Sequence, residues 1–220
     1  VQPGLYLEGV PTSTTTFSPS NPLYVYVGIP YSTYVSQQAI RAGGTAVTAT
    51  LVNSNPAAAR LNQTAGLTDT ATVTINPGQS NSPTSVAAGG AEFRPAGAGT
   101  TTVSATIPGF IAQPLATRSS TVSAPAISAY GGTVGAGLQT QPYVYLGASA
   151  HGGVAVTIKS ADPASLKVSP NASTPGTDSI VVNVPNGTQY VYYYVQGMEG
   201  VTDTVAVTAT APGFTSGSAN

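Results

Sequence analysis

The stretch TTVSATIPGF, Thr101–Phe110, returns as VAVTATAPGF, Val205–Phe214. In the first copy Val103, Ala105 and Ile107 alternate with Thr102, Ser104 and Thr106; in the second, Val205, Val207 and Ala209 alternate with Ala206, Thr208 and Thr210. A side-chain period of two belongs to a strand with one face in a core and the other in water, because successive Cβ atoms point to opposite sides of the pleat. Pro-Gly then ends each strand: proline brings no ladder donor, and glycine accepts the positive φ of a turn. A hydroxyl-faced strand that occurs twice points to an all-β chain made of two similar halves.

Three further blocks recur in the same order. NPLYVYVG, Asn21–Gly28, returns as QTQPYVYLG ending at Gly147, and GGTAVTATLVNSNPAAARL from Gly43 returns as GGVAVTIKSADPASLKV from Gly152. DTATVTINPG from Asp69 returns as DSIVVNVPNG from Asp178. Chance produces one such match between Thr/Val-rich stretches but not an ordered set of four. Alternation puts Val73 and Ile75, matched by Val182 and Val184, on the core face, together with Val47 and Ala49, matched by Val156 and Ile158. Turn signals such as Asn76-Pro77-Gly78 and Pro185-Asn186-Gly187 punctuate the strands, and no segment carries a sustained 3.6-residue period. The expectation is two tandem β-sandwiches of about seven strands each, covering 1–116 and 117–220, with the boundary somewhere between Ile111 and Ser123.

The second half resembles the bacterial immunoglobulin-like repeats of very large surface and secreted proteins. The likeness is carried by Ser160-Ala161-Asp162-Pro163, Leu166–Pro170, Gly176–Val184, Tyr194–Gly197 and Thr204–Phe214. It is looser over the first half, which carries an insertion before Phe93. The resemblance implies an immunoglobulin-like sandwich serving as a spacer, stalk, adhesive or filament-forming module outside the cell. It brings no catalytic residues with it.

Composition narrows the function classes. Charged residues make up 6% of the 220 residues, the formal net charge is −1, and cysteine is absent. The scattered Lys and Arg residues form no basic stripe of the kind that neutralises phosphates, so nucleic acid is not an expected partner. No apolar run approaches the roughly 20 residues of a membrane span. Scarce lysine with abundant Thr, Ser, Gly and Tyr suits an extracellular or cell-surface protein. Because the chain begins at Val1 without a signal peptide, it reads as a processed or excised piece of a longer one.

No catalytic or metal constellation emerges, so the chain is not read as an enzyme and no cofactor is expected. His151, the single histidine, precedes Gly152-Gly153 and reads as a solvated loop residue without the orienting partner that a general base needs. Glu199 and Asp203 are close enough in sequence to help hold a calcium ion, but no Asp-x-Asp-x-Asp cluster supports them. Asp69 and Asp178 occupy equivalent places and read as turn or strand-cap residues. Asn62, Asn171 and Asn186 match the N-glycosylation pattern, which a chain rich in Asn, Ser and Thr also generates by chance.

Two features differ between the halves. The N-terminal segment Gly4, Leu5, Tyr6, Leu7 corresponds to the inter-domain strand Ala126–Ala129 but has no preceding domain in this chain to hold it. It can complete its own sandwich or add to a neighbouring subunit as an inter-subunit strand. In Tyr190–Val195, alternation sets Val191, Tyr193 and Val195 on one face and Tyr190, Tyr192 and Tyr194 on the other, a candidate partner or glycan surface. The pair Tyr24/Tyr26, recurring as Tyr143/Tyr145, is read as part of the shared fold. The expected function is a structural subunit of an extracellular filament, fibre or stalk. It would self-associate into a homopolymer or adjoin neighbouring repeats of a longer chain; the alternative is an adhesin or glycan-binding module. A Ser/Gly-rich tail such as Thr215–Asn220 should fray in isolation, so an ordered one is read as pinned in an assembly.

Overall fold

The computed structural model describes all 220 residues, which divide into two compact units, Val1–Ser123 and Ala124–Asn220. The division falls after Ser123 and not at residue 116, because Thr117–Ser123 is a strand paired along Gly99–Ser104 of the first unit. Each unit is an immunoglobulin-like β-sandwich. Helical structure is confined to two single 3₁₀ turns, Val86–Ala88 and Pro114–Ala116.

The strands of the first unit are β1 (Gly4–Glu8), β2 (Ser13–Thr15), β3 (Asn21–Pro30), β4 (Val35–Gln37), β5 (Val47–Asn53) and β6 (Ala59–Gln63). They continue as β7 (Gly66–Thr68), β8 (Thr70–Ile75), β9 (Ala91–Pro95), β10 (Gly99–Thr106), β11 (Ile111–Ala112) and β12 (Thr117–Ser123). One layer runs β11-β1-β3-β9-β6-β7 with β4 on β3, the other β2-β12-β10-β5-β8. Between them Leu5, Leu7, Leu23, Leu51, Leu61, Ile75, Phe93 and Val103 are fully buried.

The second unit contains β13 (Ile127–Tyr130), β14 (Gln139–Thr140), β15 (Tyr143–Leu146), β16 (Val154–Ser160) and β17 (Leu166–Ser169). Then come β18 (Ser179–Val184), β19 (Tyr190–Tyr192), β20 (Tyr194–Gly197), β21 (Val207–Thr210) and β22 (Gly217–Ala219). β19 and β20 are one strand interrupted at Tyr193. The first layer is therefore β13-β15-β19 continued by β14-β20-β17, and the second is β18-β16-β21-β22. Eight strands are common to both units in the same spatial order, close to the seven expected. The interruption has a cause in the sequence. Pro142 stands where the first unit has Leu23; its carbonyl accepts the Tyr193 N–H at 3.3 Å, but without an N–H it returns no bond, and the ladder breaks there before resuming at Thr140.

Register shows where the halves correspond. Val103 lies opposite Asn53 and Val207 opposite Ser160, so Asn53 and Ser160 are equivalent. Ala49 then corresponds to Val156 and Leu51 to Ile158, two residues away from the pairing read in sequence. A shift of two preserves facing, so Ala49, Val156 and Ile158 are buried as expected while Val47 is only half-buried.

The N-terminal strand is not a free one. Gly4, Leu5, Tyr6 and Leu7 pair with Gly28, Val27, Tyr26 and Val25, while Gly4 and Leu5 run parallel to Ile111 and Ala112. Leu5 and Leu7 fill the first core, and that burial gives the strand its place within its own sandwich. The C-terminal tail is likewise held, Gly217–Ala219 pairing with Val207–Ala209.

Candidate functional site

Aromatic side chains gather on the outer face of β13-β15-β19. Tyr130 lies opposite Tyr143, Tyr143 opposite Tyr192, and Tyr145 opposite Tyr190. Directly opposed residues on one sheet face bring their side chains together. The Tyr130 and Tyr143 rings stack at 4.6 Å, Tyr143 meets Tyr190 at 5.8 Å and Tyr192 at 5.9 Å, and Tyr145 meets Tyr190 edge-on at 5.1 Å. Tyr190 and Tyr192, two apart on one strand, are nearly parallel at 6.3 Å. The result is a five-ring ladder. Tyr130 is 46% exposed, Tyr190 52% and Tyr192 56%, and the three strands carry no charged residue.

Alternation alone finds Tyr190 and Tyr192 here, with Val191 and Tyr193 buried beneath. Tyr194 keeps the outward facing but makes no ring contact with the ladder. Past the interruption its strand pairs with β17, Tyr194 standing opposite Ser169. Conversely Tyr143 and Tyr145, assigned to the shared fold by sequence, belong to this surface, and so does Tyr130. Cross-strand register joins them, and one strand's sequence does not contain it.

The first unit starts from the same residues and covers them. Tyr6 stacks on Tyr26 at 4.8 Å, and the Arg118 guanidinium sits 4.9 Å from the Tyr6 ring centre. Arg118 Nη2 donates to the Tyr6 hydroxyl at 2.8 Å, its Nε donates to Leu7 O at 3.2 Å, and Glu8 lies 3.5 Å away. Burial, reinforced by neighbouring Tyr6 and Glu8, pushes the Tyr26 phenol up to about 12. Where the second unit has Tyr190, the first has Asn81, bridged to Tyr26. The insertion read before Phe93 then follows, bulging out over 83–90. Ala219, opposite Val207, takes the place that Arg118 holds opposite Val103. One unit has a capped aromatic face and the other an open one.

The remaining candidates fall in structural roles or on open surface. His151 is buried, not solvated: Nδ1 accepts from the Gly153 N–H at 3.2 Å, which leaves Nε2 to donate to Thr188 O at 2.9 Å. It holds two loops together because both ring nitrogens find backbone partners. Asp162 receives Ser165 Oγ at 2.6 Å and the Ala164 N–H at 3.0 Å, and these bonds hold its carboxyl below the usual range. Asp69 pairs with Arg60 at 2.7 Å. Asn62 donates its amide nitrogen to Glu92 at 3.1 Å. Asn171 and Asn186 are exposed turn residues; Asn171 accepts from Ser173 and Thr174, and Asn186 from the Gly152 N–H.

Glu199 and Asp203 are exposed, and no group of three or more His, Cys, Asp or Glu side chains comes together. Asp203 borders a cavity of about 770 Å³ in the second unit, walled by Val134, Leu166, Tyr193, Val205 and Val207. It lies where the first unit runs Gly99–Thr102 against Ser119–Val122, and burial there pushes the Tyr193 phenol up to about 12. No helix is long and apolar enough to cross a membrane.

No family model and no curated protein matches the chain. Among solved structures it is similar to the calcium-binding domain CBD12 of CALX1.1, at 10% identity over 94% of this chain and 79% of that one, with a TM-score of 0.37. Elastase-activated Escherichia coli α2-macroglobulin matches at 13% identity over 99% of this chain and 21% of its own, with a TM-score of 0.33. A two-domain Bacteroides fragilis protein of unknown function matches at 8% identity over 100% and 93%, also with a TM-score of 0.33.

Proposed function

We propose that this chain is a non-catalytic structural module of an extracellular filament, fibre or cell-surface stalk, of the bacterial immunoglobulin-like kind, and that it self-associates through the tyrosine face of its second unit. The observation that carries this reading is the five-ring ladder of the second unit, open on the face where the first unit has a Tyr6–Tyr26 stack capped by Arg118. Tyrosine supplies a large contact area with few rotatable bonds and keeps a hydroxyl for polar contacts, which suits a surface that must be wet when free and dry when paired. A net charge of −1 leaves little long-range repulsion between copies. The single histidine is committed to backbone partners, which supports a non-catalytic role.

A second reading, a glycan-binding or adhesive module, draws on the nearly parallel, half-exposed rings of Tyr190 and Tyr192. Sedimentation velocity on the full chain, with and without Tyr190→Ser and Tyr192→Ser together, separates the two. The expected result is a wild type that shifts to larger species with concentration and a double variant whose midpoint is about tenfold higher or more, with thermal unfolding little changed. A wild type that stays monomeric into the millimolar range contradicts self-association. Glycan-array binding lost in the same variant would instead favour the second reading.

A further inference from the structure

The outer edges of β8 and β18 are equivalent strands treated differently. The Asn53 N–H donates to Asp69 O and the Ser160 N–H to Asp178 O, which sets the phase of each ladder. In an antiparallel pair the bonded positions alternate, so Thr70, Thr72 and Thr74 turn their backbone groups away from β5. By the same rule Ser179, Val181 and Asn183 turn theirs away from β16. In the first unit the central position is guarded. Gln63 Nε2 donates to Thr72 O at 2.8 Å and Gln63 Oε1 accepts the Thr72 N–H at 3.4 Å, so a side-chain amide occupies the edge as another strand would.

In the second unit the residue at the place of Gln63 is Pro170, two beyond Val168 as Gln63 is two beyond Leu61, and it has no amide to offer. No side chain bonds the outward groups of Val181 or Asn183; only Ser179 O is taken, by Thr177 Oγ1 at 2.9 Å. Val181 is 60% exposed, and β18 carries no charge, proline or bulge to discourage pairing.

We infer that the β18 edge is a second self-association surface, which pairs antiparallel with β18 of another copy about a two-fold axis at Val181. In that register Val181 faces its symmetry mate and exchanges both backbone bonds with it, and Ser179 faces Asn183. The strand is self-complementary in charge because it has none. This inference rests on the self-association reading for the identity of the partner. A six-residue edge covers far less than the roughly 1,200–2,000 Å² of a stable interface, so it acts together with the tyrosine face. Two different two-fold contacts on one chain close into a dihedral ring only when their axes intersect at a closing angle, and otherwise propagate. Propagating, they alternate and link copies into an open row.

Sedimentation velocity and negative-stain microscopy on the full chain test this with three variants. Val181→Lys sets like charges opposite each other, and Val181→Pro removes an N–H that β16 does not use, so both leave the internal ladder whole. Thr72→Lys, on the guarded edge, is the control. The expected result is that both Val181 variants stop at dimers, with the midpoint for larger species raised about tenfold or more, while Thr72→Lys assembles as wild type. Native amide-exchange protection in β16 verifies that the Val181 variants remain folded. A wild type that assembles unchanged in both Val181 variants overturns this inference and leaves the self-association reading standing. Equal effects of Thr72→Lys and Val181→Lys also overturn it, and a monomeric wild type overturns the reading beneath it.

Discussion

Replacing Leu7 with alanine is expected to destabilise the first unit by about 2–5 kcal/mol, the range for removing a fully buried leucine side chain. Leu7 is wholly inaccessible, pairs with Val25 across the β1–β3 ladder and packs in the same core as Leu23 and Phe93. Truncation removes transfer energy and leaves a cavity that a rigid sandwich refills only in part. The prediction bears on the origin of assembly as well as on stability. A strand held in its own sandwich gives a loss that does not depend on protein concentration. A strand lent to a neighbour gives one that does. Denaturant unfolding followed by hydrogen exchange over residues 1–123, at two protein concentrations, measures both, with residues 124–220 as the internal reference.

Asn53→Ala is expected to cost about 2–3 kcal/mol, and Ser160→Ala at the equivalent place to cost nothing or to stabilise slightly. Buried Asn53 donates Nδ2 to Ala59 O at 2.7 Å and accepts Thr101 Oγ1 at 2.6 Å, so it satisfies a strand end and a hydroxyl inside the sandwich. Removing it takes the side-chain donor from Ala59 O and the buried acceptor from the Thr101 hydroxyl, which keeps only the weaker contacts to the Asn55 N–H at 3.1 Å and Ser54 Oγ at 3.3 Å. Ser160 is as deeply buried, but its Oγ has no partner. Deleting an unsatisfied hydroxyl removes a desolvation penalty instead of creating one. Chemical denaturation of both variants, read by unit-resolved hydrogen exchange, should place the two results on opposite sides of about 1 kcal/mol.

The architecture was legible because the chain contains its own comparison. Alternation in Thr102–Ile107 and its copy at Val205–Thr210 reports facing directly, and facing survives even the two-residue misalignment of Val47 with Val156. Period-two patterns cannot detect a shift of two. What stayed hidden was everything that depends on which strand lies beside which. Leu5 and Leu7 showed an inward face but not whose core it enters. Tyr143 was attributed to the fold because it recurs, yet its neighbours do not recur: Tyr130 and Tyr192 flank it, whereas Tyr24 has Glu8 opposite it. The guard at Thr72 was invisible for the same reason, since Gln63 lies nine residues away along the chain. His151 reads from sequence as solvated because both its partners are backbone groups, which leave no trace in side-chain patterns.

Copies are proposed to meet through the second unit, by its tyrosine face and β18 edge, while each N-terminal strand stays in its own sandwich. Hydroxyl-radical footprinting combined with amide exchange on the full chain, at dilute and concentrated protein, tests this most directly. The predicted result is concentration-dependent protection at Tyr190 and Tyr192 and of the Val181 amide, with Gly4–Glu8 equally protected at both concentrations. Protection that rises with concentration at Gly4–Glu8, or fails to rise at the tyrosines, would contradict it.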